Sequence, residues 1–235
     1  MTTVIQVHQA GGRHRCTVRA GLIRPQICYS GADRCRVALI ATRALLLGGD
    51  AVAIQIELGA GSVLELFDVA GTVAYPGRGR SACWSVDVNI ADSAALLWRG
   101  EPLVVSGGAE VERRLRVELG AGSTALVRDT TVLGRLNETG GHLRSRTEIR
   151  LQGQEILVED QLLTRPQREL PGILGANRVI DTITSVGQGA AAVQRCATQL
   201  QLPSQAGSVT RYLGTEAAGS PLGAEWARLE HSFPV

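Results

Sequence analysis

Two carboxylates stand on strand faces that the sequence otherwise makes mostly apolar. In "TALVRDTTVLG", Asp129 shares its face with Ala125, Val127, Thr131 and Leu133. In "EILVEDQLL", Glu159 shares its face with Leu157, Gln161 and Leu163. A buried carboxylate is costly unless it is paired, hydrated or bound to a metal ion. The pattern predicts buried ion pairs, for instance with Arg135 or Arg146, or a hydrated internal path whose oxygen ligands pass on a cation. The residues alone favour the ion pairs.

Two other motifs could carry chemistry but lack the residues that would complete a site. His14 and Cys16 alternate on one strand and would suit a soft or borderline metal ion, yet a structural zinc site needs four ligands. Gly187-x-Gly189-x-x-Ala192 follows an apolar strand, as in a dinucleotide-binding turn, but the β-rich sequence supplies no parallel βαβ unit. We interpret it as a glycine-rich helix start. No GxSxG elbow supports a Ser-His-Asp triad.

The composition is that of a soluble globular protein. The chain has 235 residues, 44% hydrophobic and 20% charged, enough for a sizeable core. Its formal net charge is +2 without a basic run, which argues against nucleic-acid binding. The N-terminus lacks a signal-peptide pattern, and the longest apolar stretch, 37–47, contains Arg43 and is too short for a bilayer. We expect neither nucleic acid nor a membrane as a partner.

The cysteines predict a cytoplasmic location. They are odd in number and show no CxxC spacing, which is typical of reduced thiols. The five residues are Cys16, Cys28, Cys35, Cys83 and Cys196.

A repeated hexapeptide indicates the elements that position the carboxylates. "ELGAGS" occupies 57–62 and returns at 118–123, each time after alternating apolar residues. An alternation of period two predicts half-buried strands, and the glycines allow the chain to turn back as a hairpin. Degenerate copies lie at 86–98 and at 147–163, the latter with Gln152-Gly153 as a tighter turn.

The copies recur at intervals of roughly 30 residues, which is the mark of stacked repeats. Their alternating strands begin at Ile54, Val86, Leu115 and Thr147. We therefore predict a mainly β fold in which residues 1–165 form a solenoid-like or two-sheet body of stacked hairpins. An ordinary β-sandwich with coincidental turns is the alternative.

The C-terminal part has a different pattern. Helical periodicity covers 190–202 and 221–231, and 207–214 has the pattern of a strand. Pro166, Pro171 and Gly172 precede this change. Residues 166–235 are predicted to form a small α+β subregion with about two helices, packed on the β body as one structural unit.

Several stretches, taken in order, resemble the urease accessory protein UreD (UreH) family. They are "VHQAGG" at 7–12, "LLGGDAVAIQIELGAGSVLEL" at 46–66, and the segments at 114–135, 144–163 and 208–229. The resemblance covers nearly the whole chain. Two departures are Arg128 in place of the family's Trp and Ala74 in place of its Lys.

The resemblance implies a non-enzymatic maturation factor without a tightly bound cofactor. Family members bind apo-urease and, with the accessory protein UreF and the GTPase UreG, help to deliver nickel(II) through an internal tunnel. Carried over to this chain, the transient nickel path comprises Asp129, Glu159, Glu148 and Asp50. Sparse carboxylates suit a metal ion that must be released again.

Two alternatives remain open at this point. One is a β-solenoid enzyme or carbohydrate-binding module, which would need a surface groove with converging acids and exposed aromatic residues; the chain has eight aromatic residues. The other is a structural scaffold without a conduit.

Overall fold

The computed structural model describes residues 1–188, 190, 192–193 and 197–233. Two β-sheets face each other and contain most of these residues. In spatial order the first sheet consists of β14 (Gln154–Leu163), β13 (His142–Leu151), β11 (Glu110–Leu119), β8 (Ala82–Ile90), β5 (Ala51–Leu58), β1 (Thr3–Ala10) and β2 (Arg13–Arg19).

The second sheet is completed by the C-terminal strands. Its order is β16 (Thr198–Gln201), β17 (Gly207–Gly214), β15 (Val179–Gly187), β12 (Thr124–Leu133), β9 (Ala95–Arg99), β6 (Val63–Asp68), β4 (Cys35–Ala41) and β3 (Ile23–Ser30). Short strands β7 (Thr72–Ala74) and β10 (Leu103–Val105) join it through β12. The helices are α1 (Arg165–Arg168) and α2 (Leu222–Ser232). No helix among the described residues has the length and apolar character needed to cross a bilayer.

The repeats stack as a solenoid, which confirms the predicted mainly β, solenoid-like fold. Strands β5, β8, β11 and β13 pair in parallel, and so do β4, β6, β9 and β12. The four residues predicted to open equivalent units lie side by side in register: Ile54, Val86, Leu115 and Thr147. The apolar faces of successive units join in one continuous core, as in other stacked repeats.

The two "ELGAGS" turns differ from the expected hairpin turns, because each crosses from one sheet to the other. The first joins β5 to β6 and the second joins β11 to β12. Gly61 (φ +66°) and Gly122 (φ +68°) provide the left-handed backbone of these arches. Gln152-Gly153 does form a hairpin, since both residues have positive φ and join the antiparallel strands β13 and β14.

The identical turns have different surroundings, which gives a first prediction. A Cβ added at Gly120 would lie 2.4 Å from Asp92 Oδ1 and 2.8 Å from Asp92 N, whereas at Gly59 the nearest atom, His8 Cβ, is 3.4 Å away. Overpacking of this kind costs about 1–3 kcal/mol. We expect Gly120→Ala to lower the urea midpoint of unfolding clearly and Gly59→Ala to change it little. Equal midpoints for the two variants would contradict this difference.

Aliphatic side chains fill most of the space between the sheets, and a second apolar cluster covers the outside. Fully buried residues between the sheets include Ile5, Ile54, Ile56, Leu64, Leu66, Leu96 and Leu119. On the outer face of the second sheet, Leu222, Trp226 and Leu229 of α2 pack against Leu97, Leu126 and Ile183. Strands β9, β12 and β15 are therefore buried on both faces.

The helix predicted at 190–202 is wrong at its C-terminal end. Thr198–Gln201 form β16, which pairs with β17 because this pairing satisfies backbone groups at the sheet edge. Residues 189, 191 and 194–196 lie outside the described part of the chain, and with them Gly189 of the glycine motif and Cys196. The predicted strand at 207–214 and the predicted helix at 221–231 are present as β17 and α2. The division into 1–165 and 166–235 stays a prediction, although β15 and β17 share a sheet with β12.

Candidate functional site

A cavity lined by both charged and apolar side chains, here called the inter-sheet cavity, lies between the two sheets toward the C-terminal end of the stack. Strands β8, β11, β13 and β14 line it from one side, and β6, β7, β9, β10, β12, β15 and β17 from the other. Its volume is about 80 Å³. A single water molecule needs about 10–15 Å³ by the same kind of measure, so the cavity has room for several.

Asp129 reaches this cavity from β12. Its neighbours on the same face, Val127 and Thr131, also line the cavity, as the period-two alternation predicts. Arg113 on the facing strand β11 donates from Nη1 to Asp129 Oδ2 at 2.6 Å. The side chains of Arg113 and Asp129 are 20% and 36% exposed, so this ion pair is partly hydrated.

Glu159 reaches the cavity from β14 and meets a second arginine. Arg211 on β17 donates from Nη1 and Nη2 to the two carboxylate oxygens at 2.7 and 2.8 Å, and its Nε donates to Thr182 Oγ1 at 3.2 Å. Burial by itself raises the pKa of Glu159, but the hydrogen bonds and charge of Arg211 outweigh burial and hold that pKa below its ordinary value. Glu159 is therefore ionised at neutral pH. Two-point pairing of this kind fixes the geometry of both side chains.

Asp68 at the end of β6 also lines the cavity and was not among the candidate acids predicted from the sequence. Burial raises the pKa of the Asp68 carboxyl to about 6, against smaller opposing effects of the Glu101 N–H, the Trp98 indole and Arg113. The Glu101 N–H donates to Asp68 Oδ2 at 3.0 Å. The signal was present in the sequence, because Asp68 alternates with the buried residues Leu64 and Leu66.

The other two candidate acids lie away from the cavity. Glu148 is on the outer face of β13, where Arg116 and Arg146 contact it at 2.9 and 2.5 Å and lower its pKa. Asp50 stands in the turn before β5, where its Oδ1 accepts from Arg43 at 3.0 Å and its Oδ2 from the Leu47 N–H at 3.2 Å. The structure brings Asp129 and Glu159 together and separates them from Glu148 and Asp50.

Both acids do form ion pairs, but the pairs are half-buried and the suggested partners were wrong. Arg135 pairs with Glu138 instead, and Arg146 pairs with Glu148 on the outer face of its strand. The partners in the cavity are Arg113 and Arg211, which point inward on β11 and β17. Alternation with Val111, Leu115 and Val117 would have placed Arg113 on the inner face.

The His14 and Cys16 pair belongs to a buried corner far along the stack from the cavity. His14 is buried with Nδ1 3.1 Å from the Ala32 carbonyl oxygen. Burial, and the neighbouring Cys35, raise the pKa of the Cys16 thiol to about 12. The described cysteines, Cys16, Cys28, Cys35 and Cys83, are free thiols. Within the described ranges no three His, Cys, Asp or Glu side chains are grouped so as to hold a metal ion.

Comparison with known proteins yields one family and a set of relatives. The family model described as UreD urease accessory protein matches residues 8–224. The chain is 43% identical over 189 residues to urease accessory protein UreD 1 of Streptomyces griseus, covering 79% of this chain and 74% of the relative. It is 31% identical over 162 residues to urease accessory protein UreD of Streptomyces avermitilis, covering 67% of this chain and 64% of the relative. It is 32% identical over 165 residues to urease accessory protein UreD of Streptomyces coelicolor, covering 68% of this chain and 64% of the relative. The match thus spans slightly less than two thirds of the last two relatives.

Proposed function

The chain belongs to the urease accessory protein UreD family, and on this premise we propose that it is a non-enzymatic factor that binds apo-urease and assists nickel delivery to it. In this proposal its further partners are the accessory protein UreF and the GTPase UreG, its cargo is transient nickel(II), and its location is the cytoplasm. The observation that supports the proposal is the inter-sheet cavity, which is lined by both Asp129 and Glu159 and has room for several water molecules.

The chemistry of the cavity suits a passing divalent cation. Nickel(II) accepts oxygen ligands, and a transit site must bind weakly enough to release the ion. Carboxylate oxygens of Asp68, Asp129 and Glu159 face the cavity, and room for water lets the ion keep part of its hydration shell. In this proposal the acids offer successive weak contacts and do not close around the ion.

The competing view is that Asp129 and Glu159 serve only as structural ion pairs, and the contacts with Arg113 and Arg211 favour it. Isosteric substitutions separate the two views. Asp129→Asn and Glu159→Gln keep the shape of each side chain and remove the negative charge that a cation requires.

We expect the double variant Asp129→Asn/Glu159→Gln to assemble with apo-urease and its accessory proteins on co-expression, yet to yield urease with several-fold less nickel and activity. Nickel is measured by elemental analysis of purified urease, and assembly by co-purification. The matched control is Asp160→Asn, on the same strand as Glu159 but on the outer face, where it pairs with the exposed Arg144. Full activation by the double variant would leave Asp129 and Glu159 as structural residues.

A further inference from the structure

Two of the acidic residues that line the inter-sheet cavity, Asp129 and Glu159, already have a cation as their partner. Arg113 contacts Asp129 at 2.6 Å, and Arg211 contacts both oxygens of Glu159. A guanidinium stays protonated at every physiological pH, so these two partners are permanent charges. A metal ion that binds either carboxylate has to compete with an arginine that is already in place.

The carboxylate of Asp68 provides a second negative charge near Arg113. Asp68 takes a hydrogen bond from the Glu101 backbone, and it also lies close enough to Arg113 for each to shift the pKa of the other toward its charged form. Arg113 therefore stands between two acids, Asp129 and Asp68. When its hold on Asp129 is broken, the negative charge of Asp68 still attracts it. If Arg211 is displaced from Glu159, it retains one hydrogen bond, because its Nε already donates to the Thr182 hydroxyl at 3.2 Å.

An independent observation indicates that the cavity takes a polar occupant. Trp84 lines the cavity, and its buried indole N–H makes no hydrogen bond to any described residue. A buried donor of this kind costs about 1–3 kcal/mol when it is not satisfied, so water, which can accept its hydrogen bond, fits this space better than an apolar ligand.

We infer that Arg113 and Arg211 are built-in competing cations of the nickel path, which occupy Asp129 and Glu159 at rest and keep the affinity for a divalent cation low enough for release. The inference rests on the proposed function and assigns a role in it to residues that coordinate no metal themselves. We therefore expect that removal of a positive charge from the cavity strengthens metal binding and weakens metal delivery.

The first test is direct binding of nickel(II) to the purified chain, measured by calorimetric titration at pH 8, where carboxylates remain ionised. An adjacent guanidinium shifts carboxylate equilibria by about one to three powers of ten, so Arg113→Gln and Arg211→Gln should each raise the affinity by roughly tenfold or more. Cobalt(II), followed by its visible absorption, provides a second readout of ligand binding. The matched control is Arg144→Gln, which opens the exposed pair with Asp160 and should leave the affinity unchanged.

The second test is delivery. Co-expressed with apo-urease and the accessory proteins, Arg113→Gln and Arg211→Gln should yield less active urease, while the isolated complex retains more nickel. The double variant Arg113→Gln/Asp129→Asn removes both charges of one pair and should show no gain in affinity. Folding of every variant is checked by circular dichroism and thermal unfolding.

Unchanged nickel affinity in folded Arg113→Gln and Arg211→Gln would overturn the inference. If the glutamine variants do not fold, Arg113→Lys and Arg211→Lys replace them: a single ammonium holds a carboxylate less firmly than a fork of donors, so a smaller gain in the same direction is expected, and no gain overturns the inference. A different result would contradict the proposed function itself, namely full activation of urease by Asp129→Asn/Glu159→Gln.

Discussion

Replacing Asp181 by alanine is expected to lower the free energy of unfolding by about 3–5 kcal/mol, because it leaves a largely buried arginine without its partner. Asp181 is fully buried on β15. Arg128 donates to its two oxygens at 3.2 and 2.9 Å, and the hydroxyls of Thr130 and Ser220 donate at 2.9 and 2.6 Å. Ser220 lies just before α2, so the carboxylate ties the approach of this helix to the outer face of the second sheet.

The matched control is Asp160→Ala, which opens an ion pair of the same chemical type at the surface. The side chains of Arg144 and Asp160 are 58% and 31% exposed, and solvent screens pairs of that kind, so we expect a much smaller effect from this substitution. Chemical denaturation of both variants at neutral pH measures the difference. If Asp181→Ala were no more destabilising than Asp160→Ala, the network around Asp181 would contribute nothing beyond a surface pair.

Asp68→Asn is expected to stabilise the protein at pH 7–8 by about 1–3 kcal/mol and to lose this advantage in acid. Burial raises the pKa of Asp68 from 3.8 to about 6, so at pH 7–8 the folded protein carries an ionised carboxylate in an unfavourable place. Asparagine has nearly the same shape and no charge to desolvate.

The sign of the pH dependence follows from this raised pKa. Between pH 3.8 and 6 the folded state binds a proton at Asp68 that the unfolded state releases. The proton-linked stabilisation of the unmodified chain is therefore complete below about pH 4 and is lost as the pH rises through 6. The difference in the free energy of unfolding between Asp68→Asn and the unmodified chain should therefore become smaller as the pH is lowered. Urea unfolding at pH 4, 6 and 8 measures this difference.

A variant with the opposite behaviour provides the control for this titration. Arg211 lowers the pKa of Glu159, so Glu159→Gln should destabilise the protein at neutral pH and differ less from the unmodified chain as the pH falls through the lowered pKa. A pH-independent effect of Asp68→Asn would mean that its carboxyl titrates normally. If the pKa of Asp68 is raised, its ionised form is costly in the cavity. A cation that enters the inter-sheet cavity would then offset part of this cost, which agrees with the proposed function.

The sequence by itself determined the direction of the important side chains and the repeat that carries them. Alternation along a strand is fixed by covalent geometry, so Asp129 and Glu159 could be assigned to the inner face without any tertiary information. The same argument extends to Asp68 and Arg113. The spacing of Ile54, Val86, Leu115 and Thr147 predicted the stack, since equivalent positions of successive repeats must lie side by side.

Only the tertiary structure decided which strands pair and which charges meet. The "GAG" turn is compatible with a hairpin or with an arch, and pairing with neighbouring repeats selected the arch. Thr198–Gln201 became a strand because the edge of β17 was available to pair with it, despite a helical pattern. Glu159 meets Arg211 because two different sheets face each other, a contact between residues distant in sequence that no local pattern encodes. The void beside these pairs likewise depends on the separation of the two sheets and on the volumes of side chains from eleven strands.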